Sequence, residues 1–199
     1  MEGIFINLLE SNTMFRTQNP NEAHGPRSTW YVKELYFIAI RVLCNANISE
    51  HFNPKKDASF PEINLVTGDI TGQLGGYPSW NRTILAFFAG HMNGKIRPVL
   101  FQHWKNKDKD MLVYEKVPEN VSYHETMKMS KYCICPSGWE VASPRIVEAI
   151  YAECIEVSEI PKLKEILLGI SEEKYTRLHE GVKQVQRHFV VNNPPKRYD

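Results

Sequence analysis

The chain has 199 residues, of which 42% are hydrophobic and 24% charged, with a formal net charge of +1 at pH 7. That length and balance suit one globular domain with a sizeable core, or two small lobes, and exclude wholesale disorder. The charge lacks the basic excess of a nucleic-acid binder, and the most apolar run, residues 35–44, is too short for a membrane span and carries Arg41.

In chain order, Ile4, Phe5, Ile6, Leu8 and Leu9 predict a short helix, followed by a polar loop to residue 24. The N-terminus has no basic n-region and is not read as a signal peptide. Residues 35–44 are expected to form one buried element, and residues 61–66 a short strand. Residues 67–83 are rich in Gly, Pro, Ser and Thr and read as a linker or long loop.

From Ile84 the pattern becomes regular. Residues 84–89 form an apolar strand ending at Gly90, and a helix starts near Arg97 and Pro98 with Leu100, Phe101 and Trp104 on its apolar side. A strand follows at 111–114, and Ser122-Tyr123-His124-Glu125 is a capping box that opens the next helix. A strand at 132–135 breaks at Pro136-Ser137-Gly138, and a helix begins with Ser143 as N-cap and Pro144 at its first position. Three alternations of strand and helix predict a parallel α/β sheet. Ile160, Leu163, Ile166, Leu167 and Ile170 suit another helix. Tyr175, Leu178, Val182, Val185 and Phe189 suit a last one, as an apolar core-packing stripe.

Ligands of such sheets bind at the carboxyl ends of the strands, where residues 90–97 and 136–145 lie. A small-residue loop running into a helix N-terminus favours an anion. Arg145 and Glu148 share a helix face there, with Glu140 in the loop before it. One assignment gives Arg145 a diphosphate and Glu148 the paired hydroxyls of a ribose. An ordinary surface Arg–Glu pair at i,i+3 accounts for the same spacing. Lys95 and Arg97 are second candidates for phosphate, against solvated surface charge. His91 is the one histidine on this edge and reads as a bystander.

Cys133 and Cys135 are read as pointing to opposite faces of their strand, which disfavours joint metal ligation, and the four cysteines as buried apolar residues. Zinc-ligand spacing is absent, so no metal is expected. Asn47, Asn81 and Asn120 each open an N-x-S/T triplet and are glycosylation candidates that lean toward a secretory-pathway lumen. There is no G-x-S-x-G, no Walker loop and no G-x-G-x-x-G after residue 89, which counts against a nicotinamide enzyme.

The stretch C-I-C-P-S-G-W-E-V-A-S-P-R-I-V-E-A-I-Y-A-E-C at 133–154 closely resembles the signature of plant exostosin-like glycosyltransferases of family 47. Further matches are N-P-N-E-A-H at 19–24, I-R-V-L-C-N-A-N at 40–47, F-N-P-K-K-D at 52–57, L-A-F-F-A-G at 85–90 and V-Q-R-H-F at 185–189. The resemblance implies a GT-B architecture of Rossmann-like lobes. Residues 1–80 would be a shortened remnant of the acceptor lobe, and residues 84–199 the donor lobe. It implies inverting transfer of a sugar from a nucleotide-sugar, usually a UDP-sugar, to a cell-wall polysaccharide or glycan, with no further cofactor. Glu140 and Glu148, seven residues between them, look like the family's E-x7-E element. Glu148 would hold the ribose, Ser143 and Arg145 the diphosphate, and Arg97 a further phosphate contact, with Ser137 and Gly138 in the donor loop. The family also implies a Golgi membrane protein with a type II anchor and a lumenal domain, working in transferase complexes. Against the family pattern, segments are missing after His24 and after Cys154, no anchor is present and the chain stops before the last helix. The strand that should follow Cys154 is therefore expected to be gone, and a general base for the acceptor is not placed. A non-catalytic homologue that keeps the nucleotide lobe is the second reading, and an unrelated oxidoreductase the third.

Overall fold

The alternation from Ile84 onward becomes a four-stranded parallel sheet in the computed structural model, which describes residues 40–64, 70–140, 142–157 and 160–191. The expectations for residues 1–39, and for the second half of the 61–66 strand, lie outside the described residues; residues 61–64 form no strand. The chain divides into two units, Met1–Phe60 and Pro61–Asp199.

In the first unit, β1 (Val42–Leu43) pairs in parallel with β2 (Ala58–Ser59). Arg41, just before β1, is buried while Ile40 and Val42 are exposed, so the buried apolar element expected at 35–44 does not extend over residues 40–44. The cause is Asp57. Its carboxylate accepts from the Arg41 backbone N–H at 3.2 Å, from the Arg41 guanidinium, from the Asn53 N–H at 2.8 Å and from Lys56 Nζ at 2.7 Å. The Arg41 hydrogen bonds hold Asp57 far below the usual carboxylate range.

In the second unit, β3 (Ile84–Ala89) is central, flanked by β4 (Met111–Tyr114) and β5 (Ser130–Ile134), and β6 (Ile155–Val157) adds to β5. The helices are α1 (Ile96–Trp104), α2 (Tyr123–Lys128), α3 (Pro144–Tyr151), α4 (Leu163–Leu168) and α5 (Glu172–Gln186). Side chains alternate across the sheet. Ala86, Phe88, Val113, Tyr132 and Ile134 pack with Leu100 and Phe101 of α1, Leu163 and Leu167 of α4, and Tyr175 of α5. Phe87, Ala89 and Cys133 pack on the other face with Met127 of α2 and Ala149 of α3. Of the capping box, the N-cap half is seen: Ser122 Oγ accepts from the Glu125 N–H at 3.3 Å, while the Glu125 carboxylate accepts from Lys128 Nζ.

Several expectations are corrected. The strand after Cys154 is present: Ile155 pairs with Tyr132 and Val157 with Ile134. Cys133 and Cys135 lie in one cluster on one face, as residues two apart on a strand must. Cys133 is bonded to Cys154 as a disulfide with Cα atoms 5.7 Å apart, tying β5 to the start of β6, whereas Cys135 is buried outside that bridge and Cys44 is exposed, not buried as expected. Residues 70–82 form the long loop of the two alternatives, and it is tied to the sheet unit. Gly75 N–H donates to the Tyr151 carbonyl at 2.8 Å, and the buried Arg82 guanidinium donates to the carbonyls of Tyr77, Ser130 and Ala152 at 2.7–3.0 Å. On α5 the buried face runs through Tyr175 and His179, with Leu178 and Val185 exposed. Its last turn is tied down by Gln186 Nε2, which donates to the Ile150 and Tyr151 carbonyls at 3.0 and 2.8 Å.

Candidate functional site

Two loops leave the carboxyl ends of adjacent strands, one between β3 and α1 and one between β5 and α3. Glycine lets them meet. Gly94 has φ +70°, and a Cβ there would stand 2.1 Å from the Gly138 carbonyl oxygen. A Cβ on Gly90 would stand 2.6 Å from Arg145 Nη2. A cleft of about 380 Å³ opens on this edge, lined by Asn64, Gly90, His91, Arg97, Tyr123, His124, Ser143, Pro144, Arg145 and Glu148.

The structure brings Arg97, Ser143, Arg145 and Glu148 together in this lining. Arg145 Nη2 donates to the Ala89 carbonyl at 2.6 Å, and its guanidinium lies 4.7 Å from the Phe88 ring centroid. Arg97 donates to the His91 and Pro136 carbonyls at 3.2 and 3.4 Å and lies 5.8 Å from the same ring. The fully buried Phe88 is thus a shared floor for two cations. Burial, and then the charge of Arg145, holds Arg97 below the ordinary guanidinium value. Among the described residues neither guanidinium is paired with a carboxylate. Two neighbouring cations repel each other, and a phosphate group between them would offset that repulsion.

The i,i+3 ion pair that the Arg145–Glu148 spacing allows does not form. Arg145 reaches back to β3, and Glu148 Oε2 instead accepts the Tyr123 hydroxyl at 2.7 Å. Burial, reinforced by Glu148 and opposed by Arg145, pushes the Tyr123 phenol above its ordinary value. Ser143 holds the N-cap position of α3 with extended backbone, but its side chain makes no capping bond.

Ser137, Gly138 and Glu140 lie on the same β5–α3 loop but outside the cleft lining, and Glu140 is exposed. Gly138 has a backbone task, the close approach to Gly94, and a Cβ on it would stand 3.1 Å from Arg97 Nη2. Lys95 is exposed at the start of α1 and does not line the cleft. Asn64, Tyr123 and His124 are lining residues that the sequence reading missed. Tyr123 sits inside the capping box, so its position on the first turn of α2 was legible. Its partner, 25 residues further on, was not. Among the described residues no group of three metal-ligating side chains occurs.

The model of the exostosin GT47 domain matches residues 5–157. Three probable glycosyltransferases of Arabidopsis thaliana are similar to the chain. One is 58% identical over 200 residues, covering 88% of this chain and 43% of that relative. A second is 41% identical over 231 residues, covering 98% and 48%, and a third 38% identical over 284 residues, covering 100% and 55%. The chain therefore spans about half the length of the curated relatives it matches. The 284 aligned positions exceed the 199 residues of the chain, so that alignment opens gaps within it.

Proposed function

The chain belongs to the exostosin GT47 family, and from that premise we propose that the 61–191 sheet is the donor lobe of a GT-B glycosyltransferase. It would bind a nucleotide-sugar, with UDP as the nucleotide, for inverting transfer to a cell-wall polysaccharide or another glycan. The observation that carries this reading is the convergence of Arg97, Arg145 and Glu148 in one cleft at the strand ends, with both cations free of carboxylate partners. Arg145 and Arg97 take the diphosphate, whose paired oxygens suit planar guanidinium forks. Glu148 accepts from the ribose hydroxyls, and the unspent Ser143 hydroxyl adds a polar contact at the α3 N-terminus. Ser137, Gly138 and Glu140 shape the loop beside them. The first unit is the shortened acceptor side.

Incubating the chain with a panel of UDP-sugars and a glycan acceptor mixture tests the reading. Release of UDP above the no-protein rate is expected. Protection against thermal unfolding by NAD, with none by UDP or UDP-sugars, would replace it with the oxidoreductase reading.

We also place the chain on the secretory route, as a lumenal Golgi domain behind a membrane anchor. The Cys133–Cys154 disulfide suits an oxidising compartment. Asn81 and Asn120 are exposed and open to a glycan, whereas Asn47 is half-buried and accepts from Ser49 N and Oγ at 3.0 and 2.8 Å. A mobility shift on deglycosylation of the secreted chain, abolished by Asn81→Gln with Asn120→Gln, is the expected result.

A further inference from the structure

The Tyr123–Glu148 contact does more than satisfy a buried hydroxyl. The Tyr123 ring packs 5.5 Å from Phe87 and 5.4 Å from His124, centroid to centroid. Phe87 belongs to the central strand, and the Ser122 cap fixes the first turn of α2, so the ring is held from two sides. The hydroxyl has one rotor left, and it donates to Glu148 Oε2 at 2.7 Å. A glutamate on an exposed helix face samples many rotamers, and fixing it on binding costs conformational entropy. Here that cost is met before any ligand arrives. A carboxylate can accept about four hydrogen bonds, so the one from Tyr123 leaves Oε1 and part of Oε2 open to a diol.

We infer that Tyr123 is a positioning residue that sets specificity for a ribose: it holds Glu148 as a preorganised acceptor for the 2′- and 3′-hydroxyls of the nucleotide. The inference rests on the reading of this cleft as a nucleotide site, and it assigns the discrimination to one phenolic proton. The phenol stays protonated throughout the physiological range, because burial raises it, so the donor is always present. Arg145 makes no ion pair with Glu148; its guanidinium donates to the Ala89 carbonyl and lies over the Phe88 ring, and its charge also acts on the Tyr123 hydroxyl. The diphosphate side is set by charge, and the ribose side adds the Tyr123–Glu148 hydrogen bond.

Calorimetric titration of the chain with UDP and with 2′,3′-dideoxyuridine diphosphate tests this, for wild type and Tyr123→Phe. Wild type should prefer UDP by about tenfold or more, the worth of one hydrogen bond to a charged group. Tyr123→Phe keeps every ring contact and should shrink that preference to about threefold or less, leaving affinity for the dideoxy analogue unchanged. In a Glu148→Ala background, Tyr123→Phe should have no further effect. An undiminished preference in Tyr123→Phe overturns the inference while leaving the nucleotide reading intact. An equal loss for both ligands, or failure of Tyr123→Phe to fold, also overturns it, because the hydroxyl would then serve packing. No UDP binding by wild type overturns the nucleotide reading and the inference with it.

Discussion

The two units are held by opposite means. Residues 61–191 take their shape from apolar side chains on both faces of a parallel sheet, with Ala86, Phe88, Leu100, Ile134 and Ala149 at zero exposure. In residues 40–60 the buried centre is polar: one carboxylate, Asp57, gathers Arg41, Asn53 and Lys56. A packed core gives a rigid edge on which charges can be displayed unpaired, as Arg97 and Arg145 are. In the polar knot Arg41, Lys56 and Asp57 are used on one another. A binding site is therefore expected on the first kind of region, which is where the cleft lies.

That contrast can be broken at several points. The largest effect is expected from Phe88→Ala, which empties the sheet centre and removes the floor beneath both arginines. Loss of about 3–5 kcal/mol in urea unfolding is expected, with UDP affinity lost together with stability. Next comes Cys154→Ser. A bridge across 21 residues contributes about 3 kcal/mol by loop entropy, and a lowered Tm should be reproduced by reductant in wild type but not in the variant. A smaller effect, of about 1–3 kcal/mol, is expected from Gly94→Ala, because the left-handed backbone and the Gly138 carbonyl both oppose a Cβ. It should weaken UDP binding more than it lowers Tm, since it parts the two loops without touching the core.

The smallest expected effect is on pH dependence, and it should separate the two regions. His179 is buried against Tyr175, near Arg82, Glu153, Glu180 and Lys183. Burial, then the charges of Arg82 and Lys183, lowers it below the ordinary histidine value. The unfolded chain thus takes up the proton first, and the sheet unit should lose stability as pH falls through about 6.5. Asp57 is depressed by its partners, so its contribution is present above the ordinary carboxylate value and is lost only as pH falls below about 4. Amide exchange followed from pH 7.5 to 3.5 should show α5 loosening well before Ala58 and Phe60. Simultaneous loosening would mean that the regions are held alike.

Much of the sheet was legible. Short apolar runs gave β3, β4 and β5, and the Ser122–Glu125 spacing and the Ser143-Pro144 pair gave the starts of α2 and α3. The placing of Arg145 and Glu148 at the strand ends followed from the alternation alone. Other features depend on partners distant in sequence. The disulfide could not be chosen among four cysteines without knowing that β6 returns beside β5. Residues 70–82 have the composition of a loop, and bonds to distant partners, such as Gly75 to Tyr151 and Arg82 to carbonyls 48 and 70 residues away, make them part of the sheet unit. On α5 the hydrophobic stripe misled at Leu178 and Val185, because the buried His179 and Gln186, the latter bonded to two carbonyls, took the inner face. β6 is three residues long with a glutamate in its middle, too short to show a period.

The central claim is that Glu148 and Arg145 act as ribose and diphosphate partners on a preformed edge. Calorimetric titration of wild type and Glu148→Ala with UDP tests it most directly. Because Glu148 is half-buried at the rim of the cleft and bonded to one hydroxyl, its removal should leave the chain folded, with Tm lowered only by the cost of the Tyr123 hydroxyl's lost acceptor. UDP affinity should fall about tenfold or more. Equal affinity in the two proteins would contradict the account.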